Sequence, residues 1–559
     1  MHIQQALRKN AVLRKHFIGA HPIIQWFIER LQIREIVGSY IGQDGRAALS
    51  LEKTLGVLIH NILTSPMPMY EIADWALPLS SESLGLEQED MVLLNDDRIG
   101  KGLDAFYEGR HKDVFFRLAL RAIRVFGLDC SQIHQDTTTI TFPGRYENWT
   151  ASERLAHGHN KDHRPDLKQL VLGLSVTADG AVPLVHQVYD GNQTDDRLHP
   201  ANHQRIAKLL GRTDFTYVTD CKLVTDDNLK KIVGSGGFFV SVMPRTWKED
   251  KEFRELVKAG KIQWELLLSR RNNRKPHSGI DRYYLAVGQF VTSRGYRLLW
   301  ILSTQKKEQD AITRQSQIEK ALEALREIQS GLNRYSLRKR KDIKRAVKKA
   351  LKDCQCQRRI IWKIHSYQLR RQIHRHRGRP KAGAQVQETW KKQYSLSFEL
   401  DEKILQEEKT TDGIFPMITN HLAETHSPRR VLEVYKFQPF LEKRHSQIKT
   451  WQEITPVLLK KSERVVAYLH VHVMALMVST LIERTLRKAM ATQKIPSLPL
   501  YPEGRACKHP TSFDITRLFK NAERYEVEGN DGTTLFPAEL TPLQKQILQL
   551  LEVPVSRYH

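Results

Sequence analysis

Asp136 lies in the middle of His134-Gln135-Asp136-Thr137-Thr138-Thr139-Ile140, a run whose β-branched residues predict a strand over 132–142. An acid in such a strand is costly unless it is exposed at a site or faces a cation. Two readings fit it: a solvated Asp on an edge strand, or the first of three carboxylates that hold a divalent metal. Asp220 closes a second short apolar segment, Phe215-Thr216-Tyr217-Val218-Thr219. Tyr435, Gln438, Glu442 and Lys449 are spaced so that on one helix they fall within an arc of about 60°. One stripe would then carry a phenol, an amide, a carboxylate and an ammonium. Pro439 interrupts a helix interior but is tolerated near a helix start.

The segments around these residues predict how they are positioned. Strands are expected over 132–142, 168–176 and 182–189, the last two joined by a turn at Asp179-Gly180. A helix over 200–210, a strand over 215–220, a helix over 225–232 and a strand over 237–242 follow. A three-stranded meander followed by helix, strand, helix, strand is an α/β arrangement in which the first and fourth strands can lie side by side. That would bring Asp136 to Asp220. A strand over 412–420 is expected to return to the same sheet before the segment that carries Glu442.

Around this core the chain reads as additional units, as its 559 residues require. Residues 1–130 are predicted to be helical, with apolar positions at helical spacing over 22–31, 49–63 and 114–126. Residues 244–411 interrupt the α/β order with a hairpin over 283–303, a long helix over 312–328 and a basic block. The catalytic region is thus expected in two parts, 131–243 and 412–495, with a C-terminal extension over 496–559.

The net charge of +25 is unevenly placed: −1 for residues 1–130, +6 for 131–300, +17 for 301–400 and +3 for 401–559. Arg338-Lys339-Arg340-Lys341 opens the basic block, and acids are nearly absent from Arg358 to Lys381. Such a field selects a polyanion, because each neutralised phosphate releases counterions. Five scattered cysteines argue for a reducing cytosol rather than a disulfide framework, and Cys354-Gln355-Cys356 has no second pair with finger-like spacing. No secretory signal is visible at the N-terminus, and the apolar stretch over 465–482, which contains His470, His472 and Ser479, reads as a buried amphipathic helix rather than a membrane span. Asp226-Asp227 reads as a helix cap, Asp195-Asp196 as part of a polar loop, and Asp162 and Asp166 as local partners of Arg164.

Tyr435-x2-Gln438-x3-Glu442-x6-Lys449 is similar to the Tyr-x2-Arg-x3-Glu-x6-Lys signature of bacterial insertion-sequence transposases of the DDE, RNase H-like class. Gly158-His159-Asn160-Lys161-Asp162-His163-Arg164-Pro165-Asp166-Leu167-Lys168-Gln169, with Asp190-Gly191-Asn192, also resembles one branch of that group, and the likeness runs from about Gln132 to Ala489. Gln438 stands where that signature has Arg.

The resemblance implies an RNase H-like mixed five-stranded α/β sheet interrupted by a large α+β insertion, behind a helical N-terminal domain for DNA end binding or dimerisation. It implies two Mg²⁺ ions, replaceable by Mn²⁺, about 4 Å apart and bridged by Asp136 with Asp220 and Glu442 at the flanks. Tyr435, Gln438 and Lys449 would hold the non-transferred strand, and the insertion would bind the transposon end. The partners would be terminal inverted repeats and target DNA, the assembly a homodimer in the synaptic complex, and the location the cytoplasm at the nucleoid. Where the chemistry passes through a hairpin end, an aromatic residue would stack on a flipped base, with Trp247, Trp264, Trp300, Trp362 and Trp390 as candidates. A metal-dependent nuclease that cuts without joining and a non-catalytic DNA-binding scaffold are the alternatives.

Overall fold

The computed structural model describes the chain except residues 1–11, 42–47, 145, 162–163, 272–278, 375–385, 455–458, 460 and 530–531. It divides into two compact units, Met1–Ser241 with Val431–His559, and Val242–Arg430.

The first unit opens with a strand not expected in a helical segment, β1 (Val12–Phe17), and then helices α1 (His21–Arg30), α2 (Ile33–Tyr40), α3 (Leu51–Thr64), α4 (Asp96–Glu108) and α5 (His111–Phe126), of which α2 was not expected. The side chain of Asn95 caps α4 by accepting from the Arg98 backbone N–H, while Asp96 and Asp97 face the positive end of its dipole. α5 buries Val114, Phe115, Leu118, Ala119, Ala122 and Phe126 on one face, and Gly127 ends it in the left-handed conformation.

The sheet that positions Asp136 follows. β2 (Gln132–Phe142), β3 (Lys168–Thr177) and β4 (Pro183–Tyr189) form the antiparallel meander. The chain then passes through α6 (His199–Leu210) to β5 (Thr216–Val218), which pairs parallel with β2, and through α7 (Asp226–Gly234) to β6 (Phe238–Val242), which pairs parallel with β5. The order is β4-β3-β2-β5-β6, a mixed sheet. β2 is central, so Thr137, Thr138 and Thr139 are buried along with Ile133 and Ile140.

In the second unit β7 (Trp264–Arg271), β8 (Ile280–Ala286), β9 (Phe290–Val291) and β10 (Arg297–Ser303) precede α8 (Thr304–Ser330) and α9 (Arg340–Asp353). The expected hairpin is present as antiparallel β8 and β10. Two strands not expected from the sequence come next, β11 (Ile360–His374) and β12 (Val386–Leu400), paired along their whole length as a two-stranded ribbon. A small core of Ile318, Leu325, Ile343, Val347, Cys356 and Leu396 joins α8, α9 and the base of this ribbon. β13 (Ile414–Thr419) pairs antiparallel with β10.

The chain then continues through α10 (Pro428–Tyr435) and α11 (Gln438–Ser446), a π-helical turn at Gln447–Trp451, and α12 (Ser462–Thr492). α12 is long and apolar enough to cross a membrane, but 94% of its most apolar window is buried inside the protein. It is buried on all sides rather than amphipathic as expected, because it runs through the core and packs on α3, α4 and β4. Finally β14 (Glu523–Gly529) and β15 (Gly532–Phe536) pair, and β1 joins β14, so residues from opposite ends of the chain share a sheet that no sequence pattern announced.

Candidate active site

The parallel register of β2 with β5 pairs Ile133 with Tyr217 and His134 with Val218. Asp136 and Asp220 each stand two residues beyond that last pair, so Asp220 lies just past the C-terminal end of the short β5 and Asp136 lies midway along the longer β2, at the level of the edge where β5 stops. Each is held locally. The Asp136 carboxylate accepts from the Thr137 backbone N–H at 2.8 Å, and that of Asp220 accepts from the Lys222 N–H at 3.0 Å. Ser241 on β6 donates its hydroxyl to the Asp220 carbonyl at 2.7 Å.

Glu442 comes to the same edge on α11, which packs on β2. The anticipated single helical stripe is broken here: α10 ends at Tyr435, α11 starts at Gln438 with Pro439 in its first turn, and Lys449 sits in the π-helical turn. Both ends of α11 are tied down. At its start, Gln438 is buried, its carbonyl accepting from His134 Nδ1 at 3.0 Å and its amide donating to the Gln135 carbonyl at 3.2 Å. At its end, Arg444 pairs with Glu483 of α12 at 2.8 Å and donates to Gln447 and to the Gly180 carbonyl. Glu442, between these anchors, is exposed.

Tyr435 lies within electrostatic reach of all three acids. Burial raises its phenol well above the ordinary value, and Asp220, Cys221, Glu442 and Asp136 all add to the rise. The phenol is therefore protonated at neutral pH within the field of all three carboxylates. Two residues absent from the predicted site also meet Asp136. Lys161 Nζ lies 3.4 Å from its Oδ1 and donates to the Thr137 carbonyl at 2.5 Å, and His445 Nδ1 lies 3.7 Å from its Oδ2. Burial, with Lys161 and Lys449, pushes His445 down to about 3, so it is neutral at pH 7. His445 was findable as the residue one helical turn beyond Glu442, and Lys161 as a cation inside the segment that resembles the transposase branch.

Among the described residues, no three His, Cys, Asp or Glu side chains are gathered as a metal-holding group. Asp136 instead has cationic Lys161 beside it. The donor chemistry nevertheless fits Mg²⁺: hard carboxylate oxygens, two on or just past neighbouring parallel strands and one exposed on a helix that is itself anchored at both ends.

The remaining expected residues are dispersed. Gln438 faces β2 and is spent on the hydrogen bonds that seat α11. Arg338, Lys339, Arg340 and Lys341 are exposed where α9 begins in the second unit, while Arg377, Arg379 and Lys381 lie outside the described residues, as does Asp162. Arg164 pairs with Asp166 as expected. Of the tryptophans, Trp300 is buried and stacked on Phe253 at 3.9 Å, Trp362 packs against the small core, and Trp390 on β12 is 63% exposed. All five cysteines are free thiols.

A family described only as a domain of unknown function (DUF4277) matches residues 14–120. No curated protein matches the chain. Among solved structures, the cryo-EM structure of the piggyBac transposase synaptic complex with hairpin DNA resembles it at 8% identity and a TM-score of 0.38, over 88% of this chain and 79% of that one. That likeness is too loose to carry an argument about activity.

Proposed function

We propose that this chain is a DNA transposase of the DDE, RNase H-like class that binds the terminal inverted repeats of its own insertion sequence and catalyses strand cleavage and strand transfer. The observation that supports the reading is the parallel pairing that sets Asp136 of β2 level with Asp220 just past β5, with the helix that carries Glu442 packed on β2. Asp136, Asp220 and Glu442 would hold Mg²⁺, which as a Lewis acid would activate water or a 3′-hydroxyl for attack on a phosphodiester.

The chain's own residues do the rest. Tyr435, protonated at neutral pH, offers a hydrogen bond to a phosphate oxygen without adding charge. Lys449 and Lys161 supply positive charge that offsets three converging carboxylates. Gln438 and Arg444 hold α11 so that Glu442 stays opposite β2, a positioning role. DNA contact beside the cut then falls to Tyr435 and Lys449, and the exposed basic side chains of the second unit supply the field for a long polyanion.

The test is incubation of the purified protein with labelled terminal-repeat DNA and Mg²⁺. Joining of 3′ ends to a target strand is the expected result. Nicking without joining would make the chain a nuclease, and salt-sensitive binding without cleavage would make it a non-catalytic scaffold. Asp136→Asn is expected to abolish cleavage while leaving DNA binding intact or tighter, and full activity in that variant would overturn the site.

A further inference from the structure

Away from the carboxylates, the first unit has a groove of about 520 Å³ between α2 and α5. Gln32, Ser39 and Tyr40 form one wall and Arg117, Arg121 and Arg124 the other, with no carboxylate in the lining. The three arginines fall within an arc of about 60° on α5 and span about 10 Å along its axis. They lie away from the face that buries Val114, Leu118 and Ala122.

Two of these guanidinium groups are oriented before any ligand arrives. Arg117 Nε donates to the Tyr40 hydroxyl at 2.5 Å, with its guanidinium 5.8 Å from the ring centre. Arg121 Nε donates to the Arg30 carbonyl at 3.2 Å. Each is held through Nε, which leaves the other guanidinium N–H groups for an acceptor. Arg110 stacks on the same Tyr40 ring at 5.4 Å but pairs with Asp113, whereas no described carboxylate pairs with Arg117, Arg121 or Arg124. Residues 1–130 carry a net charge of −1, so this cluster is a local concentration and not a sample of a basic domain.

We infer that this groove binds the phosphodiester backbone of duplex DNA. Three forked cations spread over about 10 Å exceed what one phosphate can engage and suit successive backbone phosphates. Ile36 and Leu120, also in the lining, give apolar surface that sugar edges can cover. Contacts of this kind set register and affinity without reading sequence. The inference rests on the chain being a DNA-processing protein, but it does not require catalysis.

The experiment measures binding of the full chain to a labelled duplex by fluorescence anisotropy across a salt series, without divalent metal. A variant combining Arg117→Gln, Arg121→Gln and Arg124→Gln is expected to reduce the salt slope of log K by about 2 to 3 and to weaken binding roughly a hundredfold near 0.1 M salt. The corresponding Arg→Lys variant should keep most of the slope, and circular dichroism should show both variants folded. An unchanged slope and affinity in the folded Gln variant overturns the proposal. If wild type binds through these arginines yet never cleaves terminal-repeat DNA with Mg²⁺, the groove stands and the transposase reading falls. If the Gln variant cleaves and its salt slope is unaltered, the groove falls and the transposase reading stands.

Discussion

The carboxylate site of the first unit and the β11–β12 ribbon of the second are built on opposite plans. At the site, Asp136 and Asp220 rest on a central sheet and Glu442 on a helix fixed at both ends by buried hydrogen bonds and an ion pair. Among the described residues, the ribbon joins a core at its base, where Ile360 and Leu396 meet α8 and α9. Farther out Tyr367, Leu369 and Trp390 are 46%, 46% and 63% exposed, with Lys391 and Lys392 beside them. Chemistry at a phosphorus atom needs groups held to a fraction of an ångström, whereas attraction to a polyanion acts over a Debye length and tolerates a looser support. Substitutions in the two regions should therefore fail differently, the first through geometry and stability, the second through graded, salt-dependent loss of affinity.

The largest effect is expected at the C-terminal anchor of α11. Arg444→Met removes the Glu483 ion pair and the hydrogen bonds to Gln447 and the Gly180 carbonyl, leaving the 2%-exposed Glu483 carboxylate with Arg487 at 3.4 Å and the Ser512 N–H, and should cost about 3 kcal/mol of stability in chemical denaturation. Adding Glu483→Gln, which removes the buried charge but keeps an acceptor for the Ser512 N–H, should recover part of that loss. A single variant that melts like wild type would mean that α11 is not held as described.

At the other anchor, Gln438→Ala removes two buried hydrogen bonds and should cost about 1–3 kcal/mol. Cleavage should drop while duplex binding persists. If binding falls and stability does not, Gln438 contacts DNA after all and the contrast between framed site and open surface loses one of its supports.

The smallest effect belongs to the ribbon. Lys391→Ala with Lys392→Ala should lower the salt slope of duplex binding by about 2 and weaken affinity evenly across DNA sequences. Stability should change by no more than about 0.5 kcal/mol. A large stability loss would show that these lysines serve the fold instead.

The sequence made the sheet legible because each of its strands is short, β-branched and bounded by turn residues or an amphipathic helix. The adjacency of Asp136 and Asp220 followed from connection rules alone. The ribbon escaped notice because the outer parts of its two strands, around 368–372 and 388–393, are rich in polar and basic residues, a composition that a charged surface run shares. The sheet of β1, β14 and β15 joins residues some 510 positions apart, as His16 with Glu526, and no local signal reports such a pairing. The inward turn of Gln438 was hidden by treating Tyr435 to Lys449 as one helix, whereas the break between Tyr435 and Gln438 rotates the amide toward His134. The contacts of Lys161 and His445 with Asp136 depend on tertiary placement, although the one-turn spacing of His445 from Glu442 was visible in the sequence.

The most direct test is anomalous diffraction from crystals soaked in Mn²⁺. Density between Asp136 and Asp220, with Glu442 turned toward it and Lys161 displaced from Asp136, is the predicted result. Mn²⁺ bound elsewhere, or Lys161 still seated against Asp136 at saturating Mn²⁺, would contradict it.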